Sequence, residues 1–593
     1  MKKYSLAFIV ILFALKTSYA QWSVKVGDKR ITPNDAYLYQ QFTDKEWKAS
    51  NFATPAQMKW FADARFGMFI HFGLSTYVGK ELSWGTIWHR KFPDQTHPEL
   101  KNKLYPDSVW TKWPEKLTFE KFDATKVVQI AKAAGMKYIV VIAKHHEGFH
   151  LWDTKLSDFK ITNTPFGRDM LKEIADACHK AHMRFGIYYS QRDWHHPDYA
   201  PADTALPKIN GHWQQGKSHK KYIDYQFKAV KELCTQYGKV DIFWFDAVWW
   251  GGMFTADMWE SEKLTRMIRK LQPGIIINNR ASIPGDFDTP EQRVGMFQNN
   301  RAWESCSTVS QSWSWTPSKV NPPKKIIKLL ESTAVGDGNL LLSWGPKWDG
   351  SWDVKQTNTL ESTGAWLQHY GESIYGTRGG PWLPENWGGT TYKGNIIYVH
   401  LINPVQDTIA FNAIKGLNIL SATSLTGQPI KWIENRGSYK LIIDKNLLKD
   451  TSVVVELKAS RAVLRSDINQ PVYGSLFNDE ANYGKKVFEK NSLLIGDQYI
   501  ANLGKQYLVK GLSIKTDNKE SAVFEVYTSV DGKEWEKYNG GSMKSGVMEL
   551  PITSYQAGAY IPGKELRFVK IVPLKSALTN TSYTVVLYGT TRP

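Results

Sequence analysis

The chain reads as an α/β protein: a (β/α)8-like, TIM-type barrel followed by β-sandwich domains. Three observations predict this. Between Arg65 and Tyr370, short apolar runs alternate with helical patterns in at least five units, the order expected of parallel strands joined by helical crossovers. In each unit the polar and aromatic residues gather just past the apolar run, so one rim of the sheet collects them, which favours a closed barrel. After Gly379-Gly380-Pro381 the period shortens to alternating runs separated by turn residues, the pattern of an antiparallel sandwich. An open doubly wound sheet is the alternative. The lack of a Gly-x-Gly-x-x-Gly after any strand weakens its dinucleotide-binding form.

The 593 residues are too many for one compact domain. A 42% hydrophobic, 22% charged composition places the chain among ordinary globular proteins. Its 25 Trp fit either sugar-stacking surfaces or a large aromatic core, and the count does not separate the two. The net charge of +18 raises the question of nucleic acid or another polyanion. Lys and Arg are spread along the chain without a basic helix or zinc-finger spacing, so a solvated basic surface and no nucleic-acid partner are expected. Residues 1–20 have the form of a secretory signal: Lys2 and Lys3, an apolar core from Leu6 to Leu15, and Ser18-Tyr19-Ala20 as the cleavage site. The core is too short to span a membrane and no later stretch is apolar enough, so an exported chain starting near Gln21, periplasmic or secreted, is expected. Three cysteines, Cys178, Cys234 and Cys306, make no disulfide framework; one bridge is possible, and buried thiols are the default for Cys178 and Cys234.

Taken in order, residues 21–378 carry the barrel pattern. Arg65–Gly73 holds a first strand ending at His71, followed by a long loop with Trp84, Trp88 and His89. A helix from Phe122 to Ala134 ends at Gly135 and leads to strand Tyr138–Ala143, which runs into Lys144-His145-His146-Glu147. Helix Met170–Ala181 precedes strand Phe185–Ser190, and helix Tyr222–Tyr237 precedes Val240–Asp246. Helix Glu260–Leu271 precedes strand Ile275–Arg280. Leu340–Trp344 and a helix from Gln356 to Tyr370 close the set. Residues 379–460 read as a β-sandwich with runs such as Ile396–Leu401 and Ser452–Leu457. Residues 466–593 read as a second β-rich block.

Asp246 ends the short aromatic run Ile242-Phe243-Trp244-Phe245, and an acid there is costly to bury without a task. His71, His145, His146, Tyr189 and Arg280 also fall at or just past strands, so a barrel would bring them to one rim with Asp246. Histidine and arginine donate to sugar hydroxyls, and aromatic rings pack on apolar sugar faces. His145-His146 raise a metal, but no His-Glu-x-x-His spacing supports one, and neither metal nor cofactor is expected. Glycoside hydrolysis generally needs two carboxyl groups; a retaining enzyme sets them roughly 5–5.5 Å apart. Asp246 is one candidate. The second comes from the loop region after Arg280, either Glu291 or Glu304.

These stretches carry a resemblance. Arg65–Gly73, Lys144–Phe149, Gly186–Ser190, Trp244-Phe245-Asp246, Thr289-Pro290-Glu291, Trp303-Glu304-Ser305-Cys306 and Gly338–Leu342 occur in order and resemble the α-L-fucosidases of glycoside hydrolase family 29. The resemblance implies a retaining, exo-acting α-L-fucosidase that releases terminal fucose from fucosylated glycans. It implies Asp246 as nucleophile and, from the α-1,3/1,4-fucosidase-like subgroup, Glu291 as acid/base, with Glu304 the alternative. It further implies fucose contacts from His71, Trp84, His145, His146, Tyr189, Trp244 and Arg280. Ala247 stands where many relatives have Gly, and Ser83-Trp84 stands where some have Glu-Trp, with Glu81 nearby. Residues 466–593 faintly resemble discoidin-type modules. Other readings are another retaining glycosidase on a similar barrel, a non-catalytic sugar-binding protein, or an exported polyanion binder. Oligomeric state is not legible.

Overall fold

A computed structural model describes residues 48–83, 107–199, 218–246, 256–468 (apart from 293, 295–296, 300, 386, 404–406, 436 and 450–451) and 485–590 (apart from 496–497, 517–521, 544–546, 552, 557–558, 563 and 574–581). It also describes three paired strands near the start, Val24–Val26, Lys29–Ile31 and Gln41–Thr43. The expected signal segment 1–20, Trp84, Trp88, His89 and Ala247 lie outside the described residues.

Eight parallel strands form the barrel: β1 (Phe66–Ile70), β2 (Tyr138–Lys144), β3 (Arg184–Ser190), β4 (Ile242–Asp246), β5 (Ile276–Ile277), β6 (Phe287–Asp288), β7 (Ala302–Thr308) and β8 (Asn339–Trp344). They run β5-β4-β3-β2-β1-β8-β7-β6 across the sheet, and a parallel bridge between Asn278 and Phe287 joins its two ends. β1, β2 and β4 are buried along their whole length, which is why they read as near-continuous apolar runs. Helix α1 (Pro55–Ala64) precedes β1. The crossovers are α2 (Ala124–Ala133), α3 (Met170–Lys180), α4 (His219–Thr235), α5 (Ser261–Leu271) and α6 (Pro323–Val335), and α7 (Val354–Tyr370) follows β8. Asp123, Asp169, Ser218 and Asp353 cap α2, α3, α4 and α7 by accepting backbone N–H bonds, an interaction worth about 1 kcal/mol per helix.

The barrel departs from eight full units on one side. Among the described residues no helix follows β5 or β6. Instead the chain doubles back, and the Asp286 carboxylate pins the return by accepting from Ile277 N (2.7 Å), Ala53 N (2.7 Å) and Arg269 Nη2 (2.9 Å). Gly285, at φ +58°, completes the bend; a Cβ there would fall 2.1 Å from the Asn278 carbonyl. This corrects two expectations. The strand read over 275–280 pairs regularly only at Ile276–Ile277, because the polar Asn278-Asn279-Arg280 turns into the return. Glu304 is not in a loop: it lies inside β7, a strand whose mixed sequence Ala-Trp-Glu-Ser-Cys-Ser-Thr hid its period.

Behind the barrel lies the expected sandwich. Strands β9 (Arg378–Gly379), β10 (Gly388–Lys393), β11 (Ile396–Leu401), β12 (Thr408–Asn412), β13 (Ile419–Ser424), β14 (Lys431–Asn435), β15 (Ser438–Ile442) and β16 (Val453–Ala459) form two antiparallel sheets, β9-β10-β11-β16-β13 and β12-β15-β14. They close over Ile397, Val399, Phe411, Leu441 and Val455. Buried Glu331 of α6 ties the sandwich to the barrel, accepting from Ser452 Oγ (2.5 Å) and pairing with His400 Nδ1 (3.2 Å). The last block is β-rich, with a seven-stranded antiparallel sheet and a core of its own around Leu512, Phe524, Val569 and Leu587. All three cysteines are buried and free.

Candidate active site

The C-terminal ends of β1 to β4 and the segments after β5 to β8 meet at one rim. Asp246, the last residue of β4, is 4% exposed there. Its Oδ2 accepts from Tyr188 O–H (2.7 Å) and its Oδ1 from Arg280 Nη1 (3.1 Å), while His146 Nε2 stands 4.0 Å from Oδ2. The same Arg280 guanidinium donates through Nη2 to Glu291 Oε2 (3.0 Å), so the two carboxylates lie one guanidinium apart. Arg280 is held in turn: Nε donates to Thr289 Oγ1 (2.9 Å), Nη2 to the Thr289 carbonyl (3.1 Å), and the guanidinium lies 4.8 Å over the Trp244 ring. Glu291 is paired beside Cys306 of β7, and its side chain is 37% exposed, facing the mouth.

Three histidines complete the rim. His71 Nδ1 bonds Ser343 Oγ (2.8 Å), His145 Nδ1 bonds Ser83 Oγ (2.5 Å), and His146 Nδ1 bonds Ser190 Oγ (2.7 Å). His145 packs on His146 (3.8 Å) and on Tyr188 (5.6 Å). Burial holds His71 and His146 well below the usual imidazole range, and the neighbouring His145 adds to that; a Phe69 carbonyl pulls His71 weakly the other way. Both are therefore neutral at ordinary pH. Burial, and next the Asp246 charge, push Tyr188 well above the usual phenol range, so it stays a donor.

Glu304 is placed elsewhere. It pairs with Asn339 at the start of β8 and accepts from Tyr138 O–H, at the start of β2, and from Trp244 Nε1 (3.1 Å). It thus belongs to the lower layer of the barrel, with the Trp244 indole between it and the rim. Burial pushes its carboxyl up to about 7. Trp244 lies beneath the rim, 1% exposed and stacked on Tyr188 at 5.5 Å.

Tyr189 is also displaced from its expected position. β3 pairs Tyr188 with Trp244 and Tyr189 with Phe245, so Tyr188 shares the inner face with Asp246 while Tyr189 points to the helix layer. There it meets Tyr222 of α4, and Lys144 lies 4.9 Å over its ring. The alternation Gly186, Tyr188, Ser190 against Trp244, Asp246 is the signal that selects Tyr188. Sequence reading also missed Trp313, whose partly buried ring lies 5.3 Å from His71. Glu81 holds that segment, accepting from Ser312 Oγ (2.7 Å) and Trp313 N (3.2 Å), and burial raises it to about 7.

His145, His146 and Asp246 present ligand atoms within 4.8 Å of one another, the one group among the described residues able to offer three to a metal. The Arg280 guanidinium already sets a positive charge against the same carboxylate, which disfavours a second cation there.

A parallel barrel whose rim holds two carboxylates around one guanidinium, beside neutral histidines, defines a barrel glycoside hydrolase. A family model described as α-L-fucosidase matches residues 35–372. The chain belongs to that family, glycoside hydrolase family 29. It is similar to the human plasma α-L-fucosidase, 29% identical over 408 residues that cover 63% of this chain and 83% of that protein. Among solved structures it is similar to α-L-fucosidase isoenzyme 1 from Paenibacillus thiaminolyticus (32% identity, TM-score 0.60, 68% of this chain and 98% of that one). It also resembles a family 29 enzyme from Bacteroides thetaiotaomicron solved as a trapped covalent intermediate with 2-fluoro-fucosyl fluoride (26% identity, TM-score 0.59, 69% and 97%).

Proposed function

We propose that in this retaining α-L-fucosidase Asp246 is the nucleophile and Glu291 the acid/base, acting on terminal fucose of fucosylated glycans. The observation that carries the assignment is Arg280, which binds both carboxylates at the rim. Asp246 attacks the anomeric carbon while protonated Glu291 gives its proton to the departing oxygen. A fucosyl ester forms at Asp246, and Glu291, now a base, activates the water that releases fucose. To reach the leaving oxygen Glu291 swings away from Arg280, which its exposed position at the mouth permits. Glu304 is disfavoured for this role by the indole between it and Asp246. His71, His145, His146 and Arg280 bind the sugar, with Tyr188 orienting the nucleophile; the Trp84 contact remains part of the proposal. The Thr289-Pro290-Glu291 sequence supports the α-1,3/1,4-linkage subgroup. Export rests on the form of residues 1–20; among the described residues no helix is long and apolar enough to cross a membrane. The block from 466 onward is proposed as an accessory module.

The test is Asp246→Gly and Glu291→Ala, assayed on an aryl α-L-fucoside and a Lewis-type trisaccharide. Asp246→Gly should lose turnover on both and recover it on the aryl fucoside with azide. Glu291→Ala should lose the trisaccharide far more than an activated aryl fucoside, whose leaving group needs no proton. Near-normal turnover of Asp246→Gly, or loss of the trisaccharide activity in Glu304→Gln alone, would overturn the assignment.

A further inference from the structure

The serines behind the histidines decide which ring nitrogen carries the proton. A hydroxyl has one proton and a carbonyl can only accept. Ser343 Oγ lies 2.6 Å from the Trp313 carbonyl, so its proton goes there, and the 2.8 Å contact to His71 is made by Nδ1–H donating to Ser343. Ser190 repeats the arrangement: its Oγ donates to the Arg192 carbonyl (3.1 Å), also accepts from Arg192 N–H (3.1 Å), and meets His146 Nδ1 at 2.7 Å. Were either serine to donate to its histidine instead, two oxygens would face each other with no proton between them. Ser83 Oγ, beside His145 Nδ1, meets a donor, Glu147 N–H at 3.1 Å.

We infer that Ser343 and Ser190 are positioning residues that hold His71 and His146 as Nδ1–H tautomers, so that each offers an unprotonated Nε2, an acceptor, to the hydroxyls of the bound sugar. This deepens, and rests on, the fucosidase reading above. Since both rings are buried and neutral, Nε2 gains no second proton at ordinary pH. The pocket thus selects hydroxyl protons at two ring positions and refuses groups that only accept.

Aryl α-L-fucosides with the C2, C3 or C4 hydroxyl replaced singly by hydrogen or by fluorine test this, since fluorine cannot donate. In the wild type, at the positions facing His71 and His146, the fluoro and deoxy compounds should both lose kcat/KM, on the order of tenfold or more. Ser343→Ala frees the His71 ring to flip tautomer. The hydroxyl-over-fluorine preference at one position should then fall several-fold while the other positions hold, and Ser343→Thr, which restores the hydroxyl, should keep it. Ser190→Ala should do the same at a different position. Inductive effects of fluorine cancel when one compound is compared between enzymes. A merely structural serine would lower every compound by one factor, and that result overturns the inference, as would a wild type that tolerates fluorine at all three positions. A wild type inert toward the parent fucoside would instead sink the fucosidase reading.

Discussion

Tyr188→Phe isolates one contact at the proposed nucleophile. The substitution removes the 2.7 Å bond to Asp246 Oδ2 and keeps the ring, whose packing on Trp244 (5.5 Å) and His145 (5.6 Å) holds its place. When the fucosyl ester breaks, negative charge returns to the Asp246 carboxylate, and Tyr188 O–H stabilises it as it forms. A hydrogen bond to a charged group contributes about 1.5–3 kcal/mol, so release of the sugar should slow by about 10- to 150-fold. With a dinitrophenyl fucoside, whose departure needs little help, this step limits turnover. The variant should show a stopped-flow burst of one equivalent of phenolate followed by a slow steady state. Tyr189→Phe, on the helix side of the same strand, serves as the control and should keep kcat within about twofold, since its ring touches none of the reacting groups. A normal kcat for Tyr188→Phe beside an impaired Tyr189→Phe would show that the register reasoning is wrong.

Glu304→Gln should change how stability depends on pH. The Glu304 carboxyl is raised from 4.5 to about 7 in the fold, so its contribution is fully present below about 4.5 and fades as pH rises to about 7. Gln mimics the protonated acid and lacks this fade. Relative to wild type the variant should therefore gain on the order of 3 kcal/mol between pH 5 and 8, read by urea denaturation; a pH-independent difference would contradict the buried-acid assignment. Gly285→Ala combines φ +58° with a Cβ 2.1 Å from a carbonyl and should lower Tm by several degrees, and an unchanged Tm would refute the tight return between β5 and β6. With all three cysteines free and buried, reductant should leave Tm unchanged, and a thiol reagent should label Cys178, Cys234 and Cys306 only after unfolding.

The legible parts of the fold were those where one period dominates. β1 to β4 and α2 to α5 announce themselves because buried parallel strands are apolar throughout and the helices carry an apolar stripe, opened in α2 to α4 by an Asp or Ser cap. The side from β5 to β7 was hidden because its order is polar: Asp286 pins the return through backbone N–H groups, and buried Arg301 and Asp288 pair at 2.8 Å between β6 and β7. A sequence window scores such residues as loop. The same blindness misplaced Glu304. At the rim, Asp246, Arg280 and the three histidines were readable because each follows a strand, yet proximity to a strand end does not tell which face a side chain takes. Tyr189 failed on that point, and only pairing with β4 resolves it.

Under the proposed assignment, burial alone does not mark a working carboxylate in this protein. Glu81 and Glu304 are buried acids, both raised to about 7, and among the described residues each meets hydroxyl or N–H donors. Desolvation favours the protonated form below about pH 7, and through these bonds each group fixes what it touches, Trp313 in one case and Trp244 in the other. Asp246 and Glu291 differ in kind: both contact a guanidinium, and Glu291 is open to the mouth. Attack on an anomeric carbon needs a carboxylate that is charged and oriented, and proton transfer needs one that can turn. In the proposed assignment, the charged partner and the freedom to move, rather than burial, therefore separate the acids that react from the acids that hold the site in shape.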